Sequence, residues 1–135
     1  MKINLAMLTA AAVMLIHPLA ATASEKTEVV KFKAGATSAT IKGSIKGDSS
    51  VNYALKANAG QVMSILFSPS NASCYFNVLP PGSDEAIHIG SSAGSEFAGT
   101  LGASGEYRAQ VYLMRNAARR NETCNYSITF EISAQ

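Results

Sequence analysis

The chain has 135 residues, with 11 Lys+Arg against 9 Asp+Glu, two His, two Cys and no Trp. That length holds one domain and excludes a two-domain enzyme, and a formal charge of +2, scattered along the chain, excludes a nucleic-acid binder built on a basic patch. An apolar fraction of 47% excludes a disordered chain, and two Cys with two His leave no margin for a four-ligand structural zinc site.

Residues 1–23 read as a secretory signal peptide. Lys2 supplies the positive charge, Leu5 to Ile16 is apolar except for Thr9, and His17-Pro18 ends the run. Ala21-Thr22-Ala23 fits a small-x-small cleavage site. The run is short for a membrane span. The expected organisation is a leader over 1–23 and one domain over 24–135, with the mature chain in the periplasm or secreted. Loss of Lys2 leaves 10 basic and 9 acidic residues. In an oxidising compartment the two cysteines, Cys74 and Cys124, are expected to pair. Closing a loop of about 50 residues stabilises by roughly 4 kcal/mol in the chain-entropy model.

The mature chain alternates with period two. Ala39, Ile41, Gly43 and Ile45 are separated by polar residues, as are Val51, Tyr53, Leu55 and Ala57. Tyr107, Ala109, Val111 and Leu113 form a third row, and Tyr126, Ile128, Phe130 and Ile132 a fourth. Each row marks a strand with one face in a core and one in water. Val62 to Phe67 and Tyr75 to Leu79 look apolar on both faces, as central strands would. Turn signals such as Gly47-Asp48, Asn58-Ala59-Gly60 and Pro80-Pro81-Gly82 punctuate the runs. About eight strands are expected, over 28–33, 38–46, 50–57, 61–68, 73–79, 86–90, 95–101 and 105–114, with a final one over 125–132. The fold class is all-β, an antiparallel β-sandwich in a single domain with one disulfide. No amphipathic helix of normal length is expected.

One connection is long. Arg115 to Cys124 separates two strands by about ten residues, where a hairpin needs two to five. It carries Arg115, Arg119 and Arg120, with Glu122 as the one acid. The planar fork of arginine suits carboxylate recognition. A Cys74–Cys124 bridge would pin the base of this loop to a central strand and reduce the entropy lost on docking. A solvated basic loop that only caps strand ends is the competing reading.

Catalytic motifs do not survive inspection. Gly90-Ser91-Ser92-Ala93-Gly94 matches G-x-S-x-G, but no histidine follows it and no helix is expected after it, as a nucleophile elbow requires. Asp84 and Glu85 are adjacent on a turn and point apart, unlike a glycosidase pair. His88 lacks a second histidine or a nearby cysteine and reads as a half-buried strand residue. No catalytic residue, metal site or cofactor is expected. The remaining reading is a binding module.

The stretch from Val30 to Ala39, followed by Ile45-Lys46-Gly47, resembles the start of the periplasmic inhibitors of g-type lysozyme. So does Arg115-Asn116-Ala117-Ala118-Arg119-Arg120-Asn121 leading to Asn125-Tyr126. The resemblance implies a small exported β-sandwich that blocks a lysozyme cleft and is not an enzyme. Arg115 and Arg119 fall on the family's R-N-x-A-R pattern, so the resemblance implies that they contact g-type lysozyme, with Asn116 beside them and Arg120 a weaker choice. A glycoside-cleaving cleft keeps acidic side chains, which arginines can occupy. The family's turn after the first I-K-G is rich in tyrosine; here it is Gly47 to Tyr53, with one tyrosine. The alternative is a cell-envelope module that binds glycan or peptidoglycan, or an accessory sandwich. A glycan binder needs an exposed aromatic platform, for which Tyr112 is the outward-facing candidate near the loop.

Overall fold

The structure, a computed structural model, describes residues 12, 13 and 23–133. The leader expected over 1–23 lies almost wholly outside the described residues. The rest forms two packed sheets. One has the order β1 (Glu25–Val29), β3 (Ser50–Ala57), β8 (Gly105–Leu113), β5 (Cys74–Leu79) and β6 (His88–Ile89). The other has the order β2 (Ser38–Lys46), β9 (Thr123–Ser133), β4 (Val62–Pro69) and β7 (Glu96–Thr100). Two single-turn helices interrupt the strands, α1 (Gly90–Ala93) and α2 (Arg115–Arg119).

The period-two rows become the inner faces. Tyr107, Ala109, Val111 and Leu113 of β8 are buried, and Arg108, Gln110 and Tyr112 face outward between them. Tyr126, Ile128 and Phe130 of β9 close the core from the other sheet. Removing such a row from water is the main drive for the sandwich. Aromatic rings join the layers, with Phe67 stacked on Phe76 at 5.4 Å and on Tyr126 at 5.4 Å. A buried polar tie accompanies them, the hydroxyls of Tyr53 and Tyr126 lying 2.6 Å apart. Burial raises the pKa of both phenols, so the tie stays protonated and satisfied. Gly43 stands opposite Tyr126 in the β2–β9 register, and a Cβ there would strike the tyrosine ring. A strand glycine here marks close approach by a large side chain.

Four details depart from the expectation. The first strand spans Glu25–Val29 rather than 28–33, and it runs parallel to β3, with Glu25 opposite Ser50. After Val30 donates to the Ala54 carbonyl at 2.9 Å, the chain leaves for the other sheet. Phe32 then packs against the core from that crossover. Its apolar spacing with Val30 therefore reports packing rather than pairing. The pairing is parallel because β2 takes the chain through the opposite sheet before β3 returns it.

Second, β4 and β5 are internal strands, but their outer rows are not buried. Leu66 is largely exposed and Tyr75 and Asn77 are half-buried on the outside. Third, the G-x-S-x-G segment does form a helical turn, α1. His88 precedes it buried, stacked on Phe76 at 4.7 Å and with Nε2 3.0 Å from the Gly94 carbonyl oxygen. The histidine thereby anchors a corner. Fourth, the segment 115–124 is not an irregular loop. It holds α2, and β9 begins at Thr123. Among the described residues no helix is long and apolar enough to cross a membrane.

Candidate partner-binding site

The strand β8 ends at Leu113, and the Met114 amide donates to the Ser73 carbonyl at 2.9 Å. The chain then makes one helical turn. Five residues are too few for an autonomous helix, so docking must hold it. Ala117 and Ala118 are buried against the end of the sandwich. Arg115, Asn116 and Arg119 lie on the exposed side. The i, i+4 spacing places the two arginines on one face of the turn.

Hydrogen bonds clasp the exit of α2. Asn121 adopts φ 55, donates to the Ala118 carbonyl at 2.9 Å and ends the helix, a role open to Asn because it tolerates the left-handed region. Glu122 donates its amide to Ala117 and accepts from Gly47 through its carbonyl at 2.9 Å. The β2–β3 turn is thus fastened to the helix. Gly47 has φ 60, and a Cβ there would crowd the Asn121 Oδ1. Asn71 reaches in from the β4–β5 turn, donating to Glu122 Oε1 at 2.9 Å and to the Thr123 carbonyl at 3.3 Å. The other carboxylate oxygen accepts from Arg120 Nε at 2.6 Å. Bonds from Asn71, then Arg120, hold the Glu122 carboxyl below the usual carboxylate pKa. Beneath this clasp runs the disulfide Cys74–Cys124, with both residues buried.

The three arginines therefore differ. Arg120 is paired with Glu122. Among the described residues, Arg115 and Arg119 enter no ion pair. Two like charges at i, i+4 on one short turn repel by about 0.2–0.5 kcal/mol, and the fold carries that cost at a clasped position. The guanidinium groups are not folded inward onto backbone oxygens, which the strand-capping reading would require. Tyr53, the single tyrosine after the Ile45-Lys46-Gly47 turn, is in the core at 1% exposure. The turn brings backbone and Asp48 to this end of the molecule, and no aromatic anchor.

Sequence reasoning singled out the arginines and missed the residues that fasten their turn. The usable signal was an Asn just after an Ala-Ala-Arg-Arg run, a helix stop.

No family model matches the chain. Over 126 aligned positions that cover 90% of this chain and 93% of the other, the chain is 32% identical to the inhibitor of g-type lysozyme of Escherichia coli K12. The chain belongs to the family of inhibitors of g-type lysozyme. Solved members share its architecture. The periplasmic lysozyme inhibitor PliG of Aeromonas hydrophila superposes with a TM-score of 0.77 at 37% identity, over 83% of this chain and all of that one. The Salmonella Typhimurium PliG gives 0.62 at 30% identity, over 80% of this chain and 98% of its own.

Proposed function

We propose that this chain is a periplasmic, non-enzymatic inhibitor of g-type lysozyme that presents Arg115 and Arg119 to the acidic cleft of the enzyme. The observation that supports it is a pair of exposed arginines that enter no ion pair among the described residues, on a turn fastened by a disulfide and by Asn71 and Glu122. Glycosidic cleavage requires carboxyl groups flanking the scissile bond. Two forked cations on a firm support pair with them and exclude the substrate. Such pairs add affinity when both partners are fully hydrogen-bonded after desolvation. Rigidity matters because ordering the turn at docking would otherwise oppose binding. Asn116 lies between the arginines as an uncharged contact, and Arg120 acts by holding Glu122. The leader 1–23 directs export, and the disulfide forms after it.

The test is inhibition of a g-type lysozyme by the mature chain, with a c-type enzyme as control. The expected result is inhibition of the g-type enzyme that the Arg115→Ala/Arg119→Ala variant lacks. Unchanged lysozyme activity at micromolar excess of folded protein would overturn the proposal.

A further inference from the structure

The outer face of the five-stranded sheet carries a second constellation. Tyr75 of β5 and Tyr112 of β8 are register partners, with ring centroids 6.4 Å apart and planes tilted by 43°. Both are half-buried and face away from the core. One outward step along the strands lies a row of side-chain amides. Asn52, Gln110 and Asn77 stand opposite one another on β3, β8 and β5. Three adjacent strands span two spacings, about 10 Å, and the tyrosine pair lies about 7 Å along the strands from that row.

These amides are incompletely used. Asn77 Oδ1 accepts from the Tyr112 hydroxyl and from the Gly90 amide, each at 3.2 Å. That turns its NH2 group away, with no partner among the described residues. Asn52 is 5% exposed; its NH2 group donates to Glu25, and its Oδ1 has no donor. A buried carbonyl oxygen without a donor costs about 1–3 kcal/mol. Gln110, between the two, makes no side-chain hydrogen bond among the described residues and can relay one to Asn52. Arg108, the next outward residue on β8, is spent on Asp84 at 3.2 Å and on the Ser83 carbonyl at 3.1 Å. The face thus offers two rings and unspent neutral donors and acceptors, with the neighbouring Arg108 paired to Asp84.

We infer that this face, formed by Tyr75, Tyr112, Gln110, Asn77 and Asn52, binds a neutral oligosaccharide of N-acetylated hexosamines. The C–H face of a pyranose lies on the tyrosine rings. Its acetamido group, which both donates and accepts, matches side-chain amides, which do the same. Anionic ligands gain nothing at the amide row, because Arg108 is held by Asp84 and the Glu25 carboxylate sits against Asn52. The site is separate from the arginine turn, although Tyr112 lies three residues before Arg115. An inhibitor held on such a glycan would sit beside the polymer that a lysozyme attacks.

The test is a titration of the isotope-labelled mature chain with chitohexaose, followed by amide and side-chain NMR shifts, with cellohexaose as control. Saturable shifts centred on Tyr75, Asn77, Gln110 and Tyr112 are expected with chitohexaose. Tyr75→Ala and Gln110→Ala should each weaken binding at least about 10-fold, near 1.4 kcal/mol, and Tyr75→Phe should retain most of it. The Arg115→Ala/Arg119→Ala variant should bind chitohexaose unchanged, which separates this site from the inhibitory one. Absence of saturable shifts, shifts centred on α2, or equal binding of cellohexaose would each overturn the inference.

Discussion

The two single-turn helices invite comparison. Both lack a side-chain N-cap bond, and both follow directly from a strand. The turn α1 is held by the absence of a side chain: Gly90 sits so close that a Cβ would lie 2.4 Å from the Phe76 carbonyl oxygen. It carries no charge. The turn α2 is held by what its residues contribute, namely two buried alanines, a left-handed asparagine and a glutamate clasped from two sides. Its remaining side chains are free to face outward. A helical turn at a sandwich edge is therefore not a site in itself. What separates a corner from a presenting element is firm anchorage combined with unspent charge.

Variants of the disulfide and of the arginines should break this contrast most strongly. Removing the disulfide with Cys74→Ala/Cys124→Ala is expected to cost about 4 kcal/mol for a loop of this length, read as a fall in the denaturation midpoint. The α1 corner should keep its amide protection under conditions where α2 loses it. Next come the exposed arginines. Truncating one partner of a buried, hydrogen-bonded charge pair costs about 2–5 kcal/mol. Arg115→Ala or Arg119→Ala should therefore raise the inhibition constant at least about 30-fold. Arg120→Ala should change it far less, because Arg120 is paired with Glu122 and exposed ion pairs contribute little. Equal losses from all three would show that net charge, and not presentation, decides docking.

The sandwich was legible because period-two burial is a direct consequence of strand geometry. The rows through Tyr107 and Tyr126 follow it residue by residue. Helix α2 was not legible, because five residues have no periodicity to detect and tertiary docking of Ala117 and Ala118 creates the turn. The outward Tyr75–Tyr112 pair was half visible. Tyr112 lies in an alternating strand, whereas Tyr75 sits in a run whose apolar neighbours disguised its orientation. Asn77 in that run was the local sign that β5 has a wet face. The Cys74–Cys124 pairing followed from there being two cysteines and an expected leader, with no geometry needed. The availability of the arginines rested on where Glu122 points, which only the fold determines.

A glycine variant sharpens the comparison from the α1 side. Gly90→Ala forces a methyl group against the Phe76 backbone. Overpacking of this kind costs about 1–3 kcal/mol, so the melting temperature should fall. The inhibition constant of the folded variant should stay unchanged, since α1 carries none of the proposed contacts. A loss of inhibition at full folding would mean that the two turns are coupled through β5 and β8, and the contrast would fail.

The smallest expected effect concerns pH and isolates the clasp. Hydrogen bonds from Asn71 and Arg120 lower the Glu122 pKa below its ordinary value of 4.5. A carboxyl held lower in the folded state binds its proton less readily there than in the unfolded chain. Its contribution is therefore complete above the ordinary carboxylate range and is lost as pH falls through the folded pKa. The replacement Glu122→Gln keeps an oxygen to accept from Asn71 but removes the charge that Arg120 pairs with. Wild type should then be more stable than Glu122→Gln at neutral pH, and the gap should narrow steadily below about pH 4.5. Thermal midpoints of the two proteins across that window give the difference directly, with the remaining carboxylates common to both. A gap that stays constant with pH would mean that packing of the side chain, and not its ionised form, fastens the arginine turn.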